Sequence, residues 1–380
     1  MVMRIISGGV CAPRGFFASG VNCGIKNKKK DLALIYSKVP AIASGVFTAN
    51  TFKAQALRVS KKHLKSAKAQ AIIVNSGNAN CFTGAYGLAY TQKMVEAAAS
   101  GLSLSSNNVL VASTGIIGKT LPIQKIKKGM PKLIKSLART GNRDAACAIM
   151  TTDKVIKEIA VRIKIGNTVV NIGAMAKGAG MVSPKMATML CFITTDIKIT
   201  PLALKQALKN AVSNSFNNIT VDGCMSTNDT VFILANGLSN GPALTLKSRY
   251  YPEFMRALNF VAAKMAEAIV RDAEGATKFI EINVCGAASP AMAKEIGLSV
   301  ANSNLFKTAA FGKNPNWGRI IAAVGSLGIR IKEEDIKIKF SSFKQKNIKI
   351  DIILNLGSGK SRIYTSDLSS EYVKINAEYT

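Results

Sequence analysis

The sequence predicts a mixed α/β protein in which layered sheets pack against helices. Short β-branched segments alternate with longer segments whose apolar residues recur every three to four positions, which are the periods of strands and helices. The 380 residues are 48% hydrophobic and 19% charged, typical of a globular chain long enough for two or three lobes with their own cores. The pattern contains no internal repeat and no low-complexity linker.

The first half of the chain is predicted to alternate strands with helices. Runs of β-branched and apolar residues predict strands at 31–37, 42–47, 70–75 and 109–113, and helical periodicity predicts helices at 85–100 and 122–139. A strand pair is expected over 156–165 and 168–172, because Gly166 and Asn167 between them are typical of a tight turn.

The second half begins with a glycine-rich segment, 173–187, that we expect to be irregular, because its glycines and Pro184 disfavour regular structure. Beyond this segment the pattern predicts strands at 189–195, 230–235 and 278–285, helices at 203–216, 252–272 and 289–300, and antiparallel strands across the tail at 334–375.

The composition favours a cytoplasmic protein. No apolar run reaches the roughly 18 residues that span a membrane, and the apolar stretch at the start is too short for a signal peptide. The cysteines are scattered without a C-x-x-C pair, which favours reduced, buried thiols over disulfides or a zinc knuckle. They are Cys11, Cys23, Cys81, Cys147, Cys191, Cys224 and Cys285.

The formal net charge of +30 raises the alternative of a nucleic-acid-binding protein. The lysines, however, are distributed over several segments, and aromatic residues that could stack on bases make up only 6% of the chain. We therefore interpret the lysines as residues of solvated faces and expect neither a nucleic-acid nor a membrane partner. A basic surface would still attract anionic substrates such as carboxylates.

The single histidine, His63, lies in the lysine-rich stretch 61–68, where a solvated position is expected. Enzymes of the Ser-His-Asp and Cys-His classes need a buried, oriented imidazole, so the sequence argues against both classes. The same scarcity argues against a histidine-based metal site, and we expect no metal. Any acyl-transfer chemistry must therefore use a different base.

The segment 113–120 resembles a phosphate-binding loop but has Ser113 where that motif requires glycine, which argues against nucleotide binding. Two interpretations of the strand end at 109–113 stay open. It is either a structural turn or an oxyanion hole in which the Thr114 hydroxyl and the Gly115 N–H are the donors.

The segment 173–196 offers a candidate nucleophile. Thr188 follows a constrained loop and directly precedes an apolar strand. Attack of its hydroxyl on the Ala187 carbonyl, followed by hydrolysis, would free an α-amine with a pKa near 8 that can act as base for the same hydroxyl. The residues alone leave this as a hypothesis beside a simple turn, since Ala276-Thr277 repeats the dipeptide.

Several long motifs nevertheless resemble one family, the bifunctional ornithine acetyltransferases (glutamate N-acetyltransferases) of arginine biosynthesis. The motifs follow the family's order almost from end to end. They are GGVCAPRGFFASGVNCGIK (8–26), AIIVNSGNAN (71–80), VASTGIIG (111–118), MTTD (150–153), KGAGMVSPKMATMLCFITTD (177–196), STNDT (226–230), RDAEGATKF (271–279), NPNWGRI (314–320) and INAEY (375–379).

The resemblance implies an α/β fold of the ornithine acetyltransferase type that cleaves itself between Ala187 and Thr188. It implies an α chain, 1–187, and a β chain, 188–380, that stay together as a heterotetramer or a larger assembly. Thr188 would then carry the acetyl group, with Thr114 and Gly115 as the oxyanion hole.

The resemblance also implies substrates and binding residues. The enzyme would transfer acetyl from N-acetylornithine to glutamate without a bound cofactor, and acetyl-CoA as a second donor is left open. The alternative is an N-terminal-threonine amidohydrolase or aminopeptidase, in which water is the acceptor. The implied substrate-binding residues are either Thr151 or Thr152, together with Lys177, Thr188, Glu274, Asn376 and Thr380.

Overall fold

The computed structural model describes residues 3–183 and 189–378. Within these ranges the chain forms two packed units. The first comprises residues 3–178, 189–215 and 226–265, and the second comprises 179–183, 216–225 and 266–378. The mixed α/β architecture with layered sheets is as predicted.

The first unit is built on a nine-stranded mixed sheet. Its strands are β1 (Arg4–Ile6), β2 (Phe16–Val21), β3 (Leu32–Phe47), β4 (Lys68–Asn78), β5 (Val109–Ile116), β6 (Lys157–Ile165), β7 (Thr168–Lys177), β8 (Leu190–Thr195) and β9 (Thr230–Ala235). The order across the sheet is β1-β6-β7-β8-β9-β3-β4-β5, and β2 pairs with β3 beside this path. The pairs β4–β5 and β8–β9 are parallel, and the others are antiparallel.

Helices cover both faces of this sheet, because its central strands are apolar on both sides. Ile72 and Val74 of β4 enter one core together with residues of α4 (Asn142–Ile149). Ala71 and Ile73 enter the other core with α1 (Gln55–His63), α2 (Gly84–Gly101) and α3 (Ile123–Lys135). The two-residue period of a strand sends alternate side chains into the two layers. Two further helices follow along the chain, α5 (Pro201–Ser213) and α6 (Tyr251–Arg271).

The second unit contains a four-stranded sheet in the order β11-β12-β10-β13. The strands are β10 (Phe279–Ala287), β11 (Ile336–Phe340), β12 (Asn347–Leu354) and β13 (Gly359–Ser366). Alternate apolar residues of these strands pack against α7 (Pro290–Asn302), α8 (Asn304–Phe311) and α9 (Gly318–Gly325). The last helix is α10 (Ser370–Ala377).

Most predicted elements are confirmed, but several differ in their bounds or their pairing. The strands expected at 31–37 and 42–47 are one strand, β3, whose pairing with β4 shifts between Tyr36 and Ala41. The helix expected at 122–139 ends at Lys135. Gly173–Lys177, expected to be irregular, belongs to β7. The tail contains α10 as well as strands, and β12 runs parallel to β10.

The described residues, 3–183 and 189–378, include no helix both long and apolar enough to cross a membrane. All seven cysteines are free thiols. Three of them are buried as expected (Cys11, Cys81 and Cys191), three are half-buried (Cys23, Cys147 and Cys285), and Cys224 is exposed in the irregular segment 221–229.

Candidate active site

The ends of the parallel strands β4 and β5 form a close backbone contact. Gly77 pairs with Gly115, and a Cβ built on Gly115 would lie 2.3 Å from the Gly77 carbonyl carbon. Gly115 also has a φ of +134°, which side-chain-bearing residues rarely adopt. Glycine is required at position 115 because the two backbones nearly touch. The strand β5, which was expected to end at Ser113, continues through this contact to Ile116.

Lys177 lies beside the same strand end. It is the last residue of β7 and is 3% exposed, and its Nζ donates to Thr114 Oγ1 at 3.4 Å. Thr114 is itself buried at 4% exposure. The structure thus brings together two predicted site residues that lie far apart in the sequence, a buried ammonium group and a buried hydroxyl.

The MTTD motif follows α4 and is organised by Asp153. Its carboxylate accepts hydrogen bonds from the Thr151 N–H at 2.9 Å, the Gly178 N–H at 2.8 Å and Lys157 Nζ at 2.7 Å. Burial alone would raise its pKa, but the ammonium groups of Lys177 and Lys157 hold the pKa of Asp153 well below its usual range. Thr151 and Thr152 are both half-buried beside it, and either hydroxyl stays a candidate.

The predicted scissile bond, Ala187–Thr188, lies outside the described residues, as does Pro184. The chain is described again from Met189, whose N–H donates to Asp229 Oδ1 at 3.2 Å. The next residue, Leu190, opens β8 directly opposite Lys177 of β7. The strand that follows Thr188 in the sequence therefore starts beside Lys177.

Asp229 belongs to the STNDT motif, whose role the sequence did not reveal. Its carboxyl group is completely buried, and burial raises its pKa well above the usual range. The neighbouring Asn228 donates to Ala79 O at 2.8 Å and to Ser113 O at 2.7 Å. The motif thereby fixes the segment before β9 against the end of β5 and places a carboxyl group at Met189.

Within the second unit, the predicted binding residues Glu274 and Asn376 are in contact. Asn376 Nδ2 donates to Glu274 Oε2 at 2.9 Å, and the Glu274 N–H donates to Ala179 O at 2.9 Å. A Cβ on Gly180 would lie 2.1 Å from Glu274 Oε2, so a larger residue there would displace the Glu274 carboxyl group. Thr380, the remaining predicted binding residue, lies outside the described residues.

Asp222 fixes the segment beside Gly180 in the same unit. Its carboxylate accepts the N–H groups of Met181 at 2.6 Å and Val182 at 2.9 Å, and it also accepts the Tyr372 hydroxyl at 3.2 Å. Burial raises the pKa of Asp222 and also the pKa of Tyr372, to which the Asp222 charge adds. Sequence reasoning assigned no role to either residue.

His63 has a structural contact. Its Nδ1 lies 2.8 Å from the carbonyl oxygen of Val109, and the ring is half-buried at the end of α1. His63, which was expected at a solvated loop or helix position, lies on a helix but is only partly exposed, because the helix end packs beside β5. Among residues 3–183 and 189–378, no group of three or more His, Cys, Asp or Glu side chains is arranged to hold a metal ion.

Comparison with known proteins gives the family. The model of the ArgJ family matches residues 17–344 and 339–380. This chain belongs to the ArgJ family. The arginine biosynthesis bifunctional protein ArgJ of Dehalococcoides mccartyi is 44% identical, over 98% of this chain and 97% of its own length.

A second ArgJ relative also matches over nearly the full length of the chain. The bifunctional ArgJ protein of Caldanaerobacter subterraneus is 41% identical over 99% of this chain and 100% of its own. A solved structure of ornithine acetyltransferase from Mycobacterium tuberculosis, complexed with ornithine, covers 48% of this chain and 98% of that one, at 39% identity and a TM-score of 0.45. The family predicted from the motifs, an enzyme family of arginine biosynthesis, is confirmed.

Proposed function

We propose that this ArgJ protein transfers an acetyl group from N-acetylornithine to glutamate through an acetyl ester on Thr188. The observation that carries the proposal is the arrangement at the start of β8. Lys177 contacts Thr114 and lies opposite Leu190, two residues after the proposed nucleophile. A hydroxyl donor, a buried cation and the strand that follows the nucleophile are thus combined in one place.

Self-cleavage precedes transfer in this proposal. The Thr188 hydroxyl attacks the Ala187 carbonyl, the peptide nitrogen leaves, and the resulting ester is hydrolysed by water. The products are the fragments 1–187, which ends in a carboxylate, and 188–380, which begins with the Thr188 amine. That amine has a pKa near 8 when unperturbed and supplies the base that the single histidine does not.

Acetyl transfer then takes two steps. The Thr188 amine accepts the hydroxyl proton as Oγ attacks the acetyl carbon, and the C–N bond breaks as the proton passes to the leaving ornithine. The glutamate amine attacks the acetyl ester, and N-acetylglutamate leaves as Thr188 recovers its proton. Thr114 and Gly115 are the proposed donors to the oxyanion of both tetrahedral intermediates, each contributing about 2.7–4 kcal/mol.

The remaining assignments complete the substrate site of this proposal. Lys177 suits a substrate carboxylate, Glu274 suits a substrate ammonium group, and a hydroxyl of Thr151 or Thr152, Asn376 and Thr380 complete the contacts. No cofactor is required, because both steps exchange an acyl group between nucleophiles. Formation of N-acetylglutamate from acetyl-CoA and glutamate would test acetyl-CoA as a second donor.

Assembly and location follow as proposals. We infer that the fragments stay associated, as a heterotetramer or a larger assembly, because strands of both build the sheet of the first unit. Seven free thiols favour the reducing cytoplasm.

The test is ornithine release from N-acetylornithine with and without glutamate, in the wild type and in Thr188→Ala. Stoichiometric formation of N-acetylglutamate, with little release when glutamate is omitted, is the expected result. Equal release without glutamate would instead establish a hydrolase with water as acceptor. Thr114→Val should retain the β5 strand but lower kcat by about a hundredfold through loss of one oxyanion donor.

A further inference from the structure

A second lysine, Lys26, lies beside the proposed site although no role has been assigned to it. Its side chain lies over Gly77, since a Cβ on Gly77 would be 2.8 Å from Lys26 Cγ, and Gly77 pairs with Gly115. Its Nζ donates to the carbonyl oxygen of Met150 at 2.8 Å, one residue before Thr151. The side chain therefore extends from Gly77, which pairs with the proposed oxyanion donor Gly115, to the start of the MTTD motif.

The loop that carries Lys26 is held in place by a buried carboxylate. Asp31 is completely buried and accepts the N–H groups of Cys23 at 2.7 Å, Ile25 at 2.7 Å and Lys26 at 2.9 Å. Three backbone hydrogen bonds to one charged acceptor define the loop conformation. The position of Lys26 is thus built into the fold and is unlike that of a surface lysine.

The charges around Lys26 suit an anion. Burial lowers the pKa of Lys26 to about 8, with Lys29 and Lys177 acting in the same direction and Asp31 and Asp153 opposing them. Both lysines border the same strand end, because Lys177 Nζ contacts Thr114 and the Lys26 side chain lies over Gly77, which pairs with Gly115. The Asp153 carboxylate already accepts hydrogen bonds from Lys157 and from two backbone N–H groups. A bound anion would relieve the repulsion between the two lysines.

We propose that Lys26 and Lys177 together bind the α-carboxylate of the amino-acid substrate. The inference rests on the proposed function, because it names the group that this site recognises. N-acetylornithine and glutamate share the α-nitrogen, the α-carbon and the α-carboxylate, and they differ beyond the α-carbon. One two-lysine site at the reacting nitrogen therefore serves both half-reactions.

The variants follow from this geometry. Lys26→Met keeps the methylene groups that lie over Gly77 and removes the charge, whereas Lys26→Arg keeps the charge. Lys29→Met is the matched control, because it removes an exposed charge from the same loop. Intact mass and thermal unfolding establish that each variant is cleaved and folded, and Lys26→Gln replaces Lys26→Met if the latter does not fold.

The kinetic test uses donors with and without the carboxylate. Lys26→Met should raise the KM for both N-acetylornithine and glutamate by about tenfold, as expected for loss of a charged hydrogen bond, with little change in kcat. The Lys29→Met control should match the wild type, and Lys26→Arg should lie between the two. With N-acetylputrescine, which is N-acetylornithine without its carboxylate, Lys26→Met and the wild type should have equal kcat/KM.

Two results would overturn the inference. One is an unchanged KM for both substrates in cleaved, folded Lys26→Met. The other is an equal loss of kcat/KM with N-acetylputrescine, which would mean that Lys26 acts through the structure of the loop.

Failure of the proposed function is separable from failure of this inference. A wild-type protein that transfers no acetyl group would contradict the former. Calorimetric titration with glutamate and with 4-aminobutyrate would still test the latter, since only glutamate has an α-carboxylate. The inference then requires that Lys26→Met weaken the binding of glutamate but not of 4-aminobutyrate. Unchanged binding of both ligands, or weaker binding of both, would contradict it.

Discussion

At the scale of a single residue, the Asp153 carboxylate connects three parts of the first unit. It accepts from Lys157, Thr151 and Gly178, and the Lys157–Asp153 side chains are 1% and 0% exposed. An ion pair removed from water in this way is costly to break, because the remaining partner stays buried without a counter-charge. Asp153 therefore positions both the MTTD motif and the residue after Lys177.

Replacing Asp153 should destabilise the fold strongly. We expect Asp153→Asn to lower the free energy of unfolding by about 3–5 kcal/mol, measured by urea denaturation, because Lys157 would be buried without its counter-charge. The double variant Asp153→Asn/Lys157→Met should recover part of the loss. Glu334→Gln breaks an exposed pair with Lys332 and should have no measurable effect. Equal stability of all four proteins would contradict this role.

The same carboxylate should contribute a stability that depends on pH. Its pKa is lowered in the folded protein relative to about 3.9 in the unfolded chain, so the unfolded state binds the proton more tightly. The contribution is therefore complete above pH ~4 and is lost as the pH falls below it. The stability difference between the wild type and Asp153→Asn should accordingly narrow below pH ~4, and a constant difference down to pH ~2 would exclude the effect.

Asp229 offers a test of how the segment after the proposed nucleophile is held. Because burial raises its pKa, the neutral form is favoured, and asparagine resembles that form. We expect Asp229→Asn to be cleaved nearly as fast as the wild type. Asp229→Ala leaves the Met189 N–H without its acceptor, at a cost of about 1–3 kcal/mol, and should accumulate uncut chain. A time course of intact mass measures both, and equal cleavage in the two variants would exclude this role.

At the scale of single residues, the sequence does not identify a side chain whose role depends on its burial and its contacts. The family resemblance pointed to Lys177, Thr114 and Glu274, and in the structure the first two are in contact with each other. Asp153, Asp229 and Lys26 were missed, because a carboxylate or a lysine becomes informative only when its burial and its partners are known. The STNDT motif was a usable signal, since it is a run of five polar residues that leads into the apolar strand β9, and all five are buried.

At the scale of a secondary-structure element, Gly173 in β7 was a misleading signal. Gly173 was expected to interrupt regular structure, yet it lies within the strand. A Cβ at this position would be 1.9 Å from the carbonyl oxygen of Gly9, so glycine is present because another backbone passes close by. Long-range crowding of this kind leaves no trace in local periodicity. The strands 230–235 and 279–287 were predicted well because their apolar runs are bounded by clear breaks.

Gly173→Ala should therefore destabilise the protein without unfolding β7 locally. We expect a loss of about 1–3 kcal/mol in the free energy of unfolding, because the new methyl group forces the backbone of β7 or of Gly9 to move. Gly325→Ala is the control, since no atom lies within 4 Å of its added Cβ in α9. The control should be neutral or slightly stabilising, and an equal loss at both sites would contradict the crowding argument.

At the scale of the whole molecule, paired strands would hold the two proposed cleavage fragments together. The proposed fragments 1–187 and 188–380 both contribute strands to the sheet of the first unit. β8 pairs with β7 on one side, and β9 pairs with β3 on the other. Separation of the fragments would expose four strand edges and the apolar residues of the core that both fragments build, such as Met175 and Phe192, which is highly unfavourable in water.

The fragments should therefore co-purify after cleavage and should separate only in denaturant. Size-exclusion chromatography with and without urea, followed by mass analysis of each peak, measures this association. A high-salt run is the control for ionic association, because the paired strands should be insensitive to screening while charge-based contacts would weaken. Separation of the fragments in buffer alone would contradict the interleaved sheet.

The central claim is that Thr188 becomes a free N-terminus and carries the acetyl group. The most direct measurement is intact mass and peptide mapping of the purified protein, before and after brief exposure to N-acetylornithine without glutamate. We expect two fragments that begin at Met1 and Thr188, with one acetyl group on the Thr188 side chain that glutamate then removes. An uncut chain that transfers acetyl at full rate, or acetylation elsewhere with Thr188 unmodified, would contradict the claim.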